Sequence, residues 1–173
     1  MVFRWLRRSR TEDRQLAEGG AALGRVGLGG YPGDFTGTVV PSYTPHPDGL
    51  ADPGEVVWGW VPYEEDFGRG TDRPVLIIGC DGDYLLGLML TSKNHDAGAG
   101  GASSAGHRDG THGAQWLDVG TGDWDGQHRP SEVRLDRVLR LRPDAVRREG
   151  AALSRPVFDE VSRAFVALAG LSG

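Results

Sequence analysis

Two strongly apolar segments separated by only four residues constrain the fold more than any other feature of this sequence. The first is 74–79 (PVLIIG) and the second is 84–91 (YLLGLMLT), and both are rich in residues that favour strands. The intervening residues 80–83 (CDGD) contain an Asp-Gly pair, which signals a tight hairpin turn. The sequence therefore predicts two central antiparallel strands rather than a parallel sheet of strand–helix–strand units.

Further strands and one helix are predicted on both sides of this hairpin. Four more segments have strand-like composition or alternation: 35–43, 55–61, 114–119 and 133–141. Residues 154–170 predict a helix, because an N-capping Ser154 and a first-turn Pro156 precede an apolar stripe of helical spacing. Short strands followed by one packing helix are typical of a mainly β protein, here a small antiparallel barrel with a C-terminal helix.

Glycine and proline divide the chain into regions with different expected order. Gly-rich stretches with few large apolar groups lose much backbone entropy on ordering, which favours flexible segments. We therefore predict a flexible tail over 1–33 and an extended, proline-rich lead-in over 34–52. The folded domain is predicted over 53–170, with a disordered loop at 94–113.

The formal net charge of −5 is the sum of unlike regions. Residues 19–128 carry fifteen acidic and five basic side chains, whereas residues 129–173 carry nine Arg and six acidic side chains. Nucleic acids bind mainly through their phosphate charge, so the acidic middle opposes such binding. A nucleic acid would run along an Arg-bearing face of residues 129–148, or its binding would be weak or lost. That face comprises Arg129, Arg134, Arg137, Arg140 and Arg142.

Several function classes are excluded by what the sequence contains. No apolar run approaches the roughly 20 residues of a membrane span, so no membrane association is predicted. Cys80 has no second cysteine to pair with, which favours the cytoplasm, and its position at a strand end predicts a buried thiol. The His residues are irregularly spaced, and no phosphate-binding glycine loop occurs. Neither a metal site nor a cofactor is predicted.

Three segments in a fixed order resemble the PemK/MazF toxin family of type II toxin–antitoxin systems. They are 53–58 (PGEVVW), 72–78 (DRPVLII) and 88–92 (LMLTS), and 131–140 (SEVRLDRVLR) resembles the family's later strand. The resemblance extends over residues 53–170. It implies an SH3-like barrel that cleaves single-stranded RNA without a metal, forms a homodimer and has an antitoxin protein as a possible partner.

The resemblance places the family's catalytic arginine at Arg73 and its strand-end threonine at Thr91, with Ser92 adjacent. In RNA the 2′-OH attacks its own phosphate, so a protein needs only to stabilise charge and assist proton movements. A guanidinium suits the phosphate oxygens, and a threonine hydroxyl donates a hydrogen bond to them. Considered without the family, Arg73 is interpreted as a surface ion-pair partner of Asp72 or Glu65.

The remaining roles are left open by the sequence. The candidates for the general base are Glu64, Glu65, Asp66 and His95. The candidates for RNA binding are Tyr63, Phe67, Arg69, Arg134 and Arg137, while Trp58 and Trp60 either stack on bases or belong to the core. Two alternatives remain: a non-catalytic barrel of the same class that binds a protein or nucleic acid, and a relative of the gyrase-poisoning toxins.

Overall fold

The computed structural model describes residues 30–92, 107–108 and 114–171 of this chain. These residues form eight strands, a short 3-10 turn at Pro143–Ala145 and one helix. The strands are β1 (Glu55–Pro62), β2 (Gly70–Asp81), β3 (Tyr84–Thr91), β4 (His107–Arg108), β5 (Gln115–Gly120), β6 (Ser131–Arg134), β7 (Leu139–Leu141) and β8 (Val146–Ala152). The helix is α1 (Arg155–Leu171).

One antiparallel sheet contains all these strands, in the order β4-β5-β6-β3-β2-β1-β8, with β7 also paired to β3. Strand β3 has β2 along one edge, while its other edge pairs with β7 near its start and with β6 at its end. Because β3 serves two partners on one edge, the sheet curls into a half-barrel. The mainly β class with a C-terminal helix is therefore confirmed.

The two faces of the curled sheet each carry an apolar cluster, because successive side chains in a strand point to opposite sides. Val56 and Leu76 belong to the cluster that packs under α1, which we call the helix face. Val57 and Val75, their neighbours in sequence, belong to the second cluster, on the face we call the far face. Cross-strand partners share a face, so the register of each strand assigns every side chain to one of the two.

The proline-rich lead-in packs on the barrel. Phe35 N–H donates to the Val138 carbonyl at 2.8 Å, and Ser42 N–H donates to the Ile78 carbonyl at 3.0 Å. The Tyr43 hydroxyl donates to the carbonyl of Leu153 at 2.9 Å. The part that the structure describes, from residue 30 onward, is thus held by the same cores as residues 53–170. Residues 1–29 of the predicted tail lie outside the described residues.

Three local expectations differ from the structure. Residues 35–43 do not form a strand; only Phe35 makes an isolated bridge, since Gly37 and the N–H-lacking Pro41 interrupt pairing. Strand β8 was not predicted, because its sequence VRREGAA has little strand character and depends on β1 for its register. Cys80 lies at the end of β2 as expected, but it is exposed rather than buried.

The predicted disordered loop at 94–113 falls almost entirely outside the described residues, apart from β4. The hairpin turn after Asp81 and the break between β6 and β7 are confirmed. Gly82 provides the turn with a left-handed backbone, φ 58°. Within the described ranges, no helix is long and apolar enough to cross a membrane.

Candidate functional site

Arg73 and Thr91 occupy matching positions on neighbouring strands. The paired residues of β2 and β3 end at Val75 opposite Met89, and Arg73 and Thr91 are each two residues further along. Antiparallel strands run in opposite directions, so both lie at the same end of this ladder and on the far face. The register therefore puts the two residues to which the resemblance assigns catalysis at the same end of neighbouring strands and on the same face of the sheet.

Glu132 extends this row onto the next strand. It lies directly opposite Thr91 in the pairing of β3 with β6, and Asp118 of β5 lies opposite Glu132 in turn. Thr91 is buried, with 4% of its surface exposed, and Glu132 is half-buried. Sequence reasoning missed Glu132 because its strand pairs with a segment some forty residues earlier. The one sequence feature that could have indicated Glu132 is its position in residues 131–135, where polar and apolar side chains alternate.

Arg73 forms no hydrogen bond or ion pair within the part of the chain that the structure describes. The expected partner Asp72 instead accepts a hydrogen bond from Nη2 of Arg147 at 2.6 Å, across to β8. Glu65 is exposed in the loop before β2. The surface ion-pair interpretation of Arg73 is therefore wrong, and its guanidinium keeps all its donors available on the far face.

Most other arginines of the described chain are neutralised by carboxylates. Arg129, Arg140 and Arg142 of the predicted Arg-bearing face pair with Asp125, Asp81 and Asp144, at 2.7, 3.5 and 2.6 Å. A guanidinium with a carboxylate partner offers less net charge to a phosphate backbone. Among the arginines whose side chains the structure describes, which leaves out Arg108 and Arg148, those without such a partner are Arg69, Arg73 and Arg163.

Glu64, a candidate base, lies in an ion network with the RNA-binding candidate Arg134. Nη2 of Arg134 lies 2.6 Å from Oε1 of Glu64 and 2.7 Å from Oδ2 of Asp136. Burial lowers the pKa of Arg134, but the hydrogen bonds and charges of Asp136 and Glu64 outweigh it and raise the pKa. Burial likewise raises the pKa of Asp136, and Arg134 brings it below its ordinary value. Because both carboxylates bind its guanidinium, Arg134 has a structural role.

Arg137, also proposed for RNA binding, is buried and saturated with partners. Its Nε and Nη2 donate to Asp34 at 2.8 and 3.1 Å, and its Nη1 donates to the Pro62 carbonyl at 2.8 Å. Tyr31 donates its hydroxyl proton to the same Asp34 at 2.5 Å, and burial followed by this hydrogen bond raises the pKa of the phenol. Two guanidinium nitrogens of Arg137 attach the lead-in through Asp34 and the third bonds the end of β1, so Arg137 is a structural residue.

The loop between β1 and β2 carries the exposed aromatic candidates. Tyr63 and Phe67 are 37% and 40% exposed, and the guanidinium of Arg69 stacks 5.9 Å from the centre of the Tyr63 ring. Phe67 makes an edge contact with the ring of Tyr31 at 5.2 Å. The loop thus presents a cation and two aromatic faces immediately before β2, four residues from Arg73.

The other predicted residues take less central positions. Asp66 accepts the Gly68 N–H at 2.9 Å within the same exposed loop that carries Glu65. Ser92 follows the last residue of β3, and His95 lies outside the described residues.

The tryptophan pair of β1 lies on the helix face, away from this row. Trp58 is half-buried and donates its indole N–H to the Trp124 carbonyl at 2.9 Å. Trp60 packs over Gly70 of the neighbouring strand. Both contacts belong to the fold.

No group of three side chains in the described ranges is arranged to hold a metal ion. Comparison of the chain with protein-family models, with curated proteins and with solved structures gave no match. The candidate site therefore consists of residues of this chain alone. They are Arg73, Thr91 and Glu132, on three neighbouring strands of the far face.

Proposed function

We propose that this protein is a metal-independent endoribonuclease of the PemK/MazF type, which cleaves single-stranded RNA by attack of a 2′-OH on the adjacent phosphate. The observation that carries the proposal is the unpaired guanidinium of Arg73, which lies on the same face and at the same end of the strand pair as Thr91. Most of the arginines whose side chains the structure describes pair with carboxylates, so the uncompensated, half-buried Arg73 favours an anionic ligand.

The reaction needs negative charge to be stabilised as it builds up on phosphorus. Arg73 keeps its charge at every physiological pH, and its forked N–H groups match two phosphate oxygens. Thr91 donates its hydroxyl hydrogen to the same group. Both act in a sheltered environment, where preorganised donors stabilise charge more than they do in water.

The loop before β2 supplies contacts for the rest of the RNA. Unpaired bases stack on aromatic side chains, and each such contact contributes about 1–3 kcal/mol. Tyr63 and Phe67 offer partly exposed rings, and Arg69 adds a cation that no carboxylate of the described chain neutralises. We propose that RNA crosses this loop and not the strand region 129–142, whose arginines are already paired.

A curled antiparallel sheet closed by one C-terminal helix is compatible with an SH3-like barrel, and we propose that finer assignment on the strength of the sequence resemblance. The homodimer and the antitoxin partner are proposed on the same ground. The apolar C-terminal half of α1, where Val166 is 52% exposed, offers a surface for either.

The test is cleavage of a single-stranded RNA of mixed sequence by the purified protein in EDTA. We expect fragments ending in a 2′,3′-cyclic phosphate. Arg73→Ala should lower the rate by at least about 100-fold, as expected when a preorganised charge is removed. The matched control is Arg163→Ala, because Arg163 also lacks a carboxylate partner but lies on α1. Equal rates for Arg73→Ala and the wild type would refute the assignment.

A non-catalytic binding module is the second candidate, and the pairing of most described arginines favours it, since little net charge is left for RNA. Under this hypothesis RNA stays intact, while a single-stranded RNA or protein partner binds and loses affinity in Tyr63→Ala. Inhibition of gyrase supercoiling by the purified protein would instead indicate a relative of the gyrase-poisoning toxins.

A further inference from the structure

We propose that Thr71 binds RNA together with Arg73 and Arg69, and that successive phosphates of a single strand lie along these three side chains at the start of β2. The inference rests on the proposed ribonuclease function, because the row begins at the arginine to which catalysis is assigned. It adds Thr71, a binding residue that the sequence resemblance does not supply, and it gives the path that the RNA takes away from Arg73.

Thr71 and Arg73 lie on the far face because of the pairing between β1 and β2. Thr71 stands opposite Val61, a buried residue of the far-face cluster, and Arg73 stands opposite Gly59, two residues further along β2. Residues two apart in a strand share a face, and their Cα atoms are about 6.5–7 Å apart. The separation of Thr71 from Arg73 is therefore set within a single strand.

Arg69 continues this row just before β2 begins. The N–H of Tyr63 donates to the Arg69 carbonyl at 2.8 Å, which adds one cross-strand hydrogen bond beyond the end of the β1–β2 ladder. Alternation puts both residues on the far face, and the guanidinium of Arg69 lies 5.9 Å from the centre of the Tyr63 ring. Arg69 is thus one further two-residue step from Thr71, on the same side of the sheet.

The donors of these three side chains are available for a ligand. Within the described part of the chain, Arg69 and Arg73 have no carboxylate partner, and the hydroxyl of the half-buried Thr71 has no hydrogen-bond partner. Asp72 lies between Thr71 and Arg73 in sequence but on the opposite face, where Nη2 of Arg147 donates to its carboxylate at 2.6 Å. The row therefore offers two positive charges and one neutral donor to an anionic ligand.

The spacing of the row suits the backbone of an extended RNA strand. A two-residue step of a β-strand, about 6.5–7 Å, is close to the separation of neighbouring phosphates in an extended single strand. A guanidinium binds two oxygens of one phosphate, and a threonine hydroxyl donates one hydrogen bond. With the scissile phosphate at Arg73, the next phosphate meets Thr71 and the one after it meets Arg69. A base at that end lies near Tyr63, whose surface is 37% exposed.

The experiment measures binding of a fluorescent 2′-fluoro RNA oligonucleotide at several salt concentrations, because this single strand lacks the 2′-OH needed for cleavage. Thr71→Val keeps the shape of the side chain and should weaken binding about tenfold, as expected for loss of a hydrogen bond to a charged group. The slope of log K against log salt should not change, since a hydroxyl neutralises no phosphate. Arg69→Ala and Arg73→Ala should each reduce that slope by about 0.7.

Two further variants separate the hydroxyl from general effects of substitution. Thr71→Ser restores the hydroxyl and should bind like the wild type. Thr121→Val is the matched control, because Thr121 is an exposed threonine between β5 and β6, outside the row, and it should also bind like the wild type. In cleavage of ordinary RNA, Thr71→Val should raise KM while kcat stays within about twofold of the wild type.

Failure of the inference and failure of the proposed function can be told apart. If the wild type cuts RNA but Thr71→Val binds the 2′-fluoro strand within about twofold of it, Thr71 is not a phosphate ligand and the proposed function stands. If the wild type binds that strand with the expected pattern of variants but cuts no RNA, the binding row is supported and the ribonuclease function is refuted. If it binds no single strand, both fail. Weak binding by Thr71→Ser also overturns the inference, and the thermal midpoint of each variant is measured alongside.

Discussion

Replacing Asp34 with Ala should destabilise the protein by about 2–3 kcal/mol. Asp34 belongs to the lead-in, yet it is the main carboxylate partner of Arg137, whose side chain is only 5% exposed. Removing one partner of a buried ion pair costs about 3–5 kcal/mol, because the remaining charge is left uncompensated. Two features lower this figure here: Asp34 is 26% exposed, and Glu64 lies 3.8 Å from Nε of Arg137 and replaces part of the lost interaction.

The assay is urea or thermal unfolding of the full chain. For a protein of this size, each kcal/mol shifts the thermal midpoint by about 2–4 °C, so Asp34→Ala should lower it by about 5–10 °C. The control is Asp144→Ala, which removes a pair with Arg142 of similar length, 2.6 Å, whose side chains are 66% and 48% exposed. A solvent-exposed pair contributes little to stability, so this variant should remain close to the wild type.

A double variant separates the energy of the Asp34–Arg137 interaction from the other effects of each substitution. Arg137→Met together with Asp34→Ala should cost less than the sum of the two single changes, because neither buried partner is left unpaired. The reasoning is refuted if Asp34→Ala loses less than about 0.5 kcal/mol, or no more than Asp144→Ala. In that case the Asp34–Arg137 pair would contribute little to stability.

Two further predictions concern acid stability and packing. Because Arg134 holds the pKa of Asp136 below its ordinary value, ionised Asp136 stabilises the fold above about pH 4, and this contribution is lost as the pH falls through the lower folded pKa. The free energy of unfolding should therefore drop more steeply between about pH 4 and pH 2 in the wild type than in Asp136→Asn; parallel curves would contradict this. Separately, Gly87→Ala should cost about 1–3 kcal/mol in urea unfolding, since a Cβ there overlaps Cγ1 of Val75. Gly126→Ala, which meets open space, is its control and should stay within about 0.5 kcal/mol of the wild type.

The local elements of the fold were largely readable in the sequence. The apolar hairpin with its Asp-Gly turn, the change of alternation before Val138 and the apolar stripe of α1 all have the predicted structure. Each of these signals lies within a single short stretch of consecutive residues, where spacing alone determines which side chains share a face. Strand β8 carries no such signal and was missed.

The site was predicted only in part, and for the same reason. Arg73 and Thr91 were identified from short motifs, but the absence of an ion pair at Arg73 follows from Arg147 approaching Asp72 from a distant strand. The pairing that puts Glu132 opposite Thr91 also joins two separate segments of the chain. Likewise, Arg134 and Arg137 became structural residues only because Glu64 and Asp34 are brought against them.

The sequence by itself determined the class of this protein: short antiparallel strands, a hairpin at the centre and one helix at the end. The tertiary structure decided which charges remain available. Asp34 and Arg137 are 103 residues apart in the chain and make a bidentate pair, while Asp72 and Arg147 are 75 residues apart. A periodic pattern in the sequence indicates which face of a strand a side chain lies on. Which partner that side chain contacts depends on how strands from distant parts of the chain pair. The free guanidinium of Arg73 is the result of such alignments.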